Sequence, residues 1–235
     1  MTKTTQPTAL ITGASKGLGR ALARALSERG WHLVIDARSS AALSATAADL
    51  PSVVAIRGDV IDALHRNALA AAVRDAGRLD LLVNNASDLG PSPMPSLSRY
   101  PLDALRAVYE TDVVAPLGLV QLLLPPLRSA DGVVLNISSD AAVEAYPGWG
   151  GYGSAKAALD HASAVLAVEE PDLRVYAVDP GDMRTDMHQA AFPSEDISDR
   201  PGPETVVPAL LRLLDGRPAS GRYRAADWAA TAVTP

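Results

Sequence analysis

The stretch TALITGASKGLGRALARALSER spans residues 8–29 and contains a strand, a turn and a helix, in that order. Residues 8–12 are apolar and β-prone, whereas apolar residues from Leu18 onward recur at helical spacing. The turn between them, residues 12–19 (TGASKGLG), is rich in glycine. Backbone N–H groups in such a turn can surround a pyrophosphate, although close packing of a helix on a strand also demands glycine.

The same alternation of apolar strands and amphipathic helices continues along the whole chain. Strands are predicted at residues 8–12, 32–36, 53–57, 79–83, 132–137, 173–178 and 222–226. Helices are predicted at 18–29, 40–49, 62–76, within 102–128, 153–169 and 203–215. Such a pattern indicates a doubly wound, Rossmann-like α/β fold, with helices on both faces of a parallel sheet of about seven strands. We find no linker or internal repeat, so residues 1–235 are expected to form one domain.

Residues 186–203 interrupt this pattern. They are polar and contain three prolines before the next helix. Irregular segments of this length often cover a binding site. We therefore expect a mobile substrate lid at this place, near the carboxyl ends of the strands, where ligands of such sheets bind.

The composition restricts the classes of partner. The net charge is −6 and no basic stripe is evident, which argues against nucleic acid. The chain has no cysteine and four scattered histidines, so neither disulfides nor a metal site is expected. No apolar run approaches the roughly 18 residues that a membrane span requires. Residues 1–7 lack the features of a secretory signal, so a cytoplasmic location is expected.

Tyr152 and Lys156 form a Tyr-x-x-x-Lys motif, and its i, i+4 spacing places both side chains on one face of a helix. A tyrosine with a pKa near 10 exchanges protons poorly at neutral pH unless a nearby ammonium group stabilises the phenolate, which Lys156 can do. Ser139, at the end of the fifth strand, can donate a hydrogen bond to a substrate oxygen. These three residues are the candidate catalytic group.

Together these motifs resemble the short-chain dehydrogenase/reductase family, single-domain Tyr-x-x-x-Lys branch, whose turn reads Thr-Gly-x-x-x-Gly-x-Gly. Further matches are Asp59-Val60, Asn84-Asn85-Ala86-Ser87 (with Ser87 in place of the usual glycine) and Pro180-Gly181 followed by Thr185. Taken alone, Asp59 would more often be a helix N-cap. The resemblance assigns cofactor binding to Gly13, Ser15, Lys16, Gly17, Leu18, Gly19, Asp59, Val60, Asn85, Ala86, Pro180, Gly181 and Thr185, and to Tyr152 and Lys156 themselves.

Asp112 departs from the family pattern. The family often has asparagine at this place in the long fifth helix, where it helps to hold a proton-relaying water next to the lysine. An ionised aspartate cannot donate a hydrogen bond, and its charge would raise the lysine pKa. Asp112 is therefore a candidate catalytic residue that either substitutes for asparagine or marks a different proton path; its alternative is an inert helix residue.

The cofactor is expected to be NADP(H). Lys16 and Arg38 offer the positive charge that the extra phosphate on the adenosine ribose requires. The acid typical of NAD enzymes is replaced by Ala37, with Asp36 one residue too early. A shift of one residue in this alignment would make Asp36 the ribose-binding acid and favour NAD(H) instead.

The function that the resemblance implies is hydride transfer between nicotinamide and a small-molecule carbonyl or alcohol, as in a ketoreductase or alcohol dehydrogenase. The alternative is a catalytically impaired NADP-binding sensor, suggested by Asp112. An epimerase or dehydratase would need a larger substrate domain, whereas only 50 residues follow Thr185.

The substrate and the assembly are less defined. Candidate substrate residues are those flanking the catalytic segments: Asp140, Tyr146, Trp149, Met183, Met187 and His188. His188 is interpreted as a solvent-facing lid residue with no group nearby to orient it. Family members are commonly dimers or tetramers built through the helices corresponding to 102–128 and 153–169, so a homodimer or homotetramer is expected.

Overall fold

A computed structural model of the chain describes residues 6–229. Within this range seven strands form one sheet: β1 (Thr8–Ile11), β2 (His32–Ala37), β3 (Val53–Arg57), β4 (Leu81–Asn84), β5 (Val133–Ile137), β6 (Arg174–Asp179) and β7 (Gly221–Arg224). All neighbouring strands are parallel, in the order β3-β2-β1-β4-β5-β6-β7. The doubly wound, seven-stranded fold predicted from the sequence is confirmed.

Helices cover both faces of the sheet. They are α1 (Gly17–Glu28), α2 (Ser40–Ala47), α3 (Ala63–Ala76), α4 (Leu102–Tyr109), α5 (Ala115–Ser129), α6 (Gly150–Glu169), α7 (Asp186–Ala191) and α8 (Val207–Gly216). Helices α1, α2 and α8 pack against one face, and α3, α5 and α6 against the other. Strand β1 shows how the two cores are separated, because Ala9 and Ile11 enter the first core while Leu10 enters the second.

The strand order places β1 and β4 side by side at the centre of the sheet, although β2 and β3 lie between them in the chain. The segment after β1 turns to one side of the sheet, and the segment after β4 turns to the other. A crevice therefore opens at the carboxyl ends of these two strands, which is where ligands bind in sheets of this kind.

The predicted long helix within 102–128 is interrupted. Residues Glu110–Val114 form one π-helical turn between α4 and α5. Such a turn holds one more residue than an α-helical turn. Taken together, residues Leu102–Ser129 are long and apolar enough to cross a membrane, although no such segment was expected from the sequence. Residues of α5 such as Leu119 and Leu123 nevertheless lie in the second core.

Other predicted boundaries also shift. The predicted irregular segment 186–203 begins with α7, which Thr185 caps by accepting a hydrogen bond from the His188 N–H at 3.2 Å. The predicted helix at 203–215 begins as a short 3₁₀ turn, Pro203–Thr205, before α8. Helix α3 is capped by Asp62 and not by Asp59. The interpretation of residues 1–7 falls mostly on residues 1–5, which lie outside the described range.

Candidate active site

The glycine-rich turn after β1 is fastened to the end of β4. The Thr12 hydroxyl oxygen accepts hydrogen bonds from the backbone N–H groups of Asn85 and Ala86, both at 3.0 Å. The Asn85 side chain donates to the Thr12 carbonyl at 2.8 Å. Gly13 has a φ of 66°, and a Cβ there would lie 2.9 Å from the Ala86 Cα. The turn can approach β4 this closely only because Gly13 has no side chain.

Helix α1 begins within this turn, and its N-terminus can bind the pyrophosphate of a dinucleotide. Lys16 occupies its N-cap position but forms no side-chain cap, so the backbone N–H groups of the first turn are free to bind an anion. Gly19 does not line the cleft: a Cβ there would lie 2.5 Å from the Asn85 Nδ2 and 2.7 Å from the Gly13 oxygen. Gly19 therefore acts through packing, as the alternative interpretation of the turn requires.

A cleft of about 370 Å³ runs across the carboxyl ends of the strands, within the usual size range of cofactor and ligand sites. Except for Gly19, every residue assigned to cofactor binding from the sequence lines it: Gly13, Ser15, Lys16, Gly17, Leu18, Arg38, Asp59, Val60, Asn85, Ala86, Tyr152, Lys156, Pro180, Gly181 and Thr185. Ser139 lines it as well, whereas Asp112 lies behind the surface of the cleft.

Tyr152 and Lys156 lie one turn apart on α6, with the Lys156 Nζ 5.4 Å from the centre of the Tyr152 ring. The Lys156 Nζ donates to the Ile137 carbonyl at the end of β5 at 2.9 Å. Both side chains are buried. Lys156 is therefore fixed between the strand and the phenol, with its ammonium directed to the residue that is the candidate proton donor.

Asp112 lies in the π-helical turn, fully buried, with its Oδ1 3.3 Å from the Lys156 Nζ. Burial raises the pKa of the Asp112 carboxyl, and Lys156 opposes this shift. Burial disfavours the Lys156 ammonium, but Asp112 and Tyr152 favour it, so the net pKa of Lys156 is raised. The structure thus pairs the residue that departs from the family pattern with the candidate catalytic lysine.

The net pKa of the Tyr152 hydroxyl is raised. Burial is the largest cause, Lys156 lowers the pKa, and Asp112 raises it again. Polar contacts with Ser139 and Ser87 also lower it. Lys156 therefore acts in the predicted direction but does not outweigh burial. Ser87, which the sequence marked only as a replaced glycine, also lines the cleft.

Ser139 follows β5 and starts a short 3₁₀ turn. Its oxygen accepts from the Ala141 N–H at 3.1 Å, and its hydroxyl donates to the Asp140 Oδ1 at 3.0 Å. The other Asp140 oxygen accepts from the Tyr146 hydroxyl at 3.0 Å. Asp140 lines the cleft, but Tyr146 does not. Tyr146 therefore supports the serine segment from outside the cleft.

Two supporting interactions were not predicted from the sequence. The Asn84 side chain donates to Asn136, which donates to the Ser163 hydroxyl, both at 2.7 Å, so a buried chain of hydrogen bonds joins β4, β5 and α6. From β7, Arg222 donates to the Ser139 carbonyl and to the Asp160 carboxylate, each at 2.8 Å. Both interactions fix the helix that carries Tyr152 relative to Ser139. Neither leaves a local sequence signal, because the partners are far apart in the chain.

The interpretation of His188 as a solvent-facing residue was wrong. Its side chain is only 12% exposed, its Nδ1 lies 3.9 Å from the Asp182 Oδ1, and its ring lies 5.0 Å from that of Phe192. Trp149, Met183, Met187 and His188 all line the cleft. The reason is α7, which turns His188 inward where an irregular segment was expected.

Within residues 6–229, no three side chains of histidine, cysteine, aspartate or glutamate form a group that could hold a metal ion.

The candidate cofactor-selecting residues occupy the other end of the cleft. The Lys16 Nζ pairs with the Asp186 carboxylate at 2.9 Å, and both side chains are exposed. The Arg38 side chain is exposed after β2. Asp36 is turned inward: its Oδ1 accepts from the Gly13 N–H at 2.7 Å, and its Oδ2 lies 2.8 Å from the His65 Nε2. Both carboxylate oxygens of Asp36 are therefore already engaged by the protein.

This chain is similar to known proteins of one family. A model of the short chain dehydrogenase family matches residues 7–196. The chain is 34% identical to a sepiapterin reductase from Xenopus tropicalis, with 91% of this chain and 84% of the relative covered. It is 35% identical to an L-xylulose reductase from Bos taurus, with 78% and 75% covered. An alcohol dehydrogenase from the archaeon Thermococcus sibiricus, solved in complex with 5-hydroxy-NADP, superimposes with a TM-score of 0.84 at 26% identity, with 93% and 95% covered.

The family model covers most of the chain, and the two relatives exceed 30% identity over most of their lengths. The glycine-rich turn and the buried tyrosine–lysine pair line the same cleft. This protein therefore belongs to the short-chain dehydrogenase/reductase family, which binds nicotinamide cofactors, and is an oxidoreductase.

Proposed function

We propose that this protein is an NADP(H)-dependent ketoreductase or alcohol dehydrogenase. The proposal rests on one observation: Tyr152, Lys156 and Ser139 line the same cleft as the glycine-rich turn. The cleft thus offers a proton donor, a cation that acts on it and a hydroxyl next to it. This combination is what reduction of a carbonyl group requires in addition to a hydride.

When bound, the nicotinamide supplies or receives the hydride. In the direction of reduction, the Tyr152 hydroxyl donates its proton to the carbonyl oxygen as that oxygen gains negative charge, and in oxidation the phenolate removes the proton. Ser139 holds the oxygen next to the phenol. Lys156 stabilises the phenolate that remains after proton transfer. The Asp112 carboxylate holds the ammonium in place and is proposed to take the position of the family's asparagine.

The choice of NADP(H) rests on charge. Arg38 is exposed at the rim of the cleft, at the carboxyl end of β2, and Lys16 lies on the adjacent turn. Asp36 does not offer a free carboxylate to a ribose, because its oxygens are engaged by Gly13 and His65. The complex of the Thermococcus sibiricus relative with 5-hydroxy-NADP is consistent with the same preference in this chain.

Arg38→Ala is expected to raise the KM for NADPH about tenfold, because it removes a hydrogen bond from a charged donor to a phosphate, without changing the KM for NADH. Steady-state kinetics with each cofactor measure this. Arg20→Ala, an exposed arginine on α1 outside the cleft, serves as the control. An equal loss with both cofactors would contradict the assignment of Arg38 to the extra phosphate.

The proposal as a whole is tested by titrating the purified protein with NADPH and NADH and following the fluorescence of the cofactor. A panel of ketones, aldehydes and alcohols is then assayed by the change in NADPH absorbance. We expect tighter binding of NADPH and turnover of at least one carbonyl compound. Tight binding with no turnover on any substrate would favour the sensor alternative, and binding of neither nucleotide would overturn the proposal.

We further propose that the protein is a cytoplasmic homodimer or homotetramer. Apolar side chains are exposed on the helices expected at the interface: Leu102, Val114, Leu117, Val165 and Val168. Apolar residues on neighbouring helices are typical of surfaces that become buried on association. Sedimentation of the purified protein as a monomer at micromolar concentration would contradict this part of the proposal.

A further inference from the structure

The substrate end of the cleft is apolar. Its wall next to Tyr152 is formed by Leu89, Trp149, Met187 and Ala191. The Trp149 ring meets the Tyr152 ring edge-on at 5.8 Å, and the Phe192 ring lies 5.9 Å from Trp149. A group bound next to the phenol therefore contacts side chains that favour apolar and aromatic surfaces.

The charges of this end are negative. Among the described residues that line the cleft, the lysines and arginines are Lys16, Arg38 and Lys156. Arg38 follows β2, which lies three strand positions from the β5 strand that carries Ser139, and Lys156 is paired with Asp112. The carboxylates assigned to the substrate end are Asp140 and Asp182, and Asp182 lies 3.7 Å from the Nε of Arg200, which does not line the cleft. Two further aspartates that line the cleft are engaged by the protein: Asp179 accepts from the Gly181 N–H, and Asp186 pairs with Lys16. An anionic group at this end would meet the carboxylates, and among the described lining residues no unpaired lysine or arginine lies there to compensate.

We propose, on the basis of the function proposed above, that the substrate is an uncharged carbonyl compound with an aromatic or bulky apolar group next to the carbonyl. Substrates that carry a carboxylate or phosphate group are discriminated against. The apolar wall binds the hydrocarbon part through burial, and Asp140 and Asp182 repel anions. The site is thereby distinct from one that selects keto acids or phosphorylated sugars.

The test compares three substrates with the same acetophenone framework: acetophenone itself and its para-carboxylate and para-trimethylammonium derivatives. With NADPH we expect the kcat/KM for acetophenone to exceed that for the carboxylate by about tenfold or more, and the cation to be used better than the carboxylate. A carboxylate derivative used as well as acetophenone would overturn the inference. If none of the three is reduced while other carbonyl compounds in the panel are, the aromatic part is wrong; if no carbonyl compound is reduced, the proposed function itself fails.

A charge reversal makes the test specific to the site. Asp182 is 60% exposed, so Asp182→Lys should fold, and we expect it to raise the relative kcat/KM for the carboxylate by about threefold or more, less at high salt. Glu144→Lys, on the exposed segment outside the cleft, makes the same change in net charge and is expected to have no such effect. Equal effects of the two variants would show that only the overall charge matters.

A second and independent observation concerns the other end of the cleft. Asp36 and His65 are both buried, and their pair joins the end of β2 to helix α3. Because the Asp36 carboxylate can only accept, the His65 Nε2 donates to it. Gly58, at the end of β3, covers the imidazole so closely that a Cβ would lie 2.1 Å from its Nδ1. The histidine can occupy this position only because residue 58 is glycine.

The pair reaches the cofactor site through Gly13. The N–H of Gly13 donates to the Asp36 Oδ1, and the next N–H, of Ala14, donates to the Asp36 carbonyl at 2.9 Å. On its other side the glycine-rich turn is held by Asn85. We infer that Asp36 and His65 are positioning residues that set the shape of the turn for the pyrophosphate of either nicotinamide cofactor. They act through the turn and not through contact with the ribose.

Asp36→Ala is expected to raise the Kd for NADPH and for NADH by the same factor, about tenfold, because the Gly13 N–H loses its acceptor. Turnover at saturating cofactor should change little. Asp36→Asn should recover most of the affinity, since its carbonyl can accept from Gly13 and its amide can donate to the other imidazole tautomer. Asp80→Ala is the matched control: Asp80 accepts from the Thr8 N–H at 2.8 Å at the opposite end of the sheet. We expect that variant to lower the Tm without changing either Kd.

The outcome separates two roles of Asp36. If Asp36 were a ribose-binding acid, Asp36→Ala would weaken the binding of NADH far more than the binding of NADPH. This result would overturn the inference. Loss of affinity in Asp80→Ala equal to that in Asp36→Ala would reduce the pair to a general structural role and would also overturn it. Neither outcome depends on which carbonyl compound is the substrate, because cofactor binding is measured directly.

Discussion

Tyr152→Phe is expected to lower kcat by roughly 10²- to 10⁴-fold while leaving the Kd for NADPH almost unchanged, because the variant loses the proton donor but keeps the ring. The aromatic ring retains its edge-on contact with Trp149 and its place above the Lys156 ammonium. Turnover is measured with the best substrate of the carbonyl panel, and NADPH binding by fluorescence titration. The two measurements separate loss of chemistry from loss of the site.

The matched control for this variant is Tyr223→Phe. Tyr223 lies on β7, and its hydroxyl donates to the Ala219 carbonyl at 2.6 Å, outside the cleft. It also loses a hydroxyl group, so its Tm reports the cost of an ordinary hydrogen bond, while its kcat should match that of the parent protein. If Tyr152→Phe kept most of its turnover, the assignment of Tyr152 as the proton donor would be wrong.

Lys156→Met is expected to lower the free energy of unfolding by about 3–5 kcal/mol as well as to abolish turnover. Methionine keeps much of the length of the lysine side chain but leaves the Asp112 carboxylate buried without its cation. The pKa of Asp112, already raised by burial, then rises further. The folded state binds this proton more tightly than the unfolded state does, so the loss of stability should increase as the pH rises above the ordinary carboxyl pKa. Urea unfolding at several pH values measures this.

The double variant Lys156→Met/Asp112→Asn separates the two effects. Asparagine removes the buried charge, so most of the lost stability should return, whereas turnover should remain absent because the ammonium is still missing. A double variant as unstable at neutral pH as the single one would contradict the view that Asp112 and Lys156 form a buried ion pair. If Lys156→Met alone kept normal turnover, the proposed role of the lysine would be wrong.

Much of the fold could be predicted because its signals are local. Ala9 and Ile11 enter one core and Leu10 the other, as the two-residue period of a strand predicts. The glycine-rich turn predicts where the first strand ends and the first helix begins. The spacing of Tyr152 and Lys156 is a property of one helix. The π-helical turn was not predictable in this way, since it depends on how the long helix meets the sheet and not on the pattern of apolar residues.

The parts of the site that escaped prediction are long-range contacts between residues of ordinary type. His65 and Asp36 are 29 positions apart, and nothing in the composition around either residue indicates the other. Arg222 and Ser139 are 83 positions apart. A glycine at position 58 was a possible signal for the first pair, because it makes room for the imidazole, but glycine after a strand has many other causes. His188 was placed wrongly because the six-residue helix α7 was interpreted as a loop.

The central position of β1 has a consequence for how the chain reaches its native state. β1 pairs with β4, and the Thr8 N–H and its acceptor Asp80 are 72 positions apart, so the middle of the sheet cannot form until about a third of the chain has been synthesised. Strands joined over such distances close slowly, because the loop-closure entropy is lost before any pairing is gained. During that interval the apolar edge of β1 is available to other chains. A nascent chain of this protein is therefore most vulnerable to aggregation early in translation, before β4 has left the ribosome.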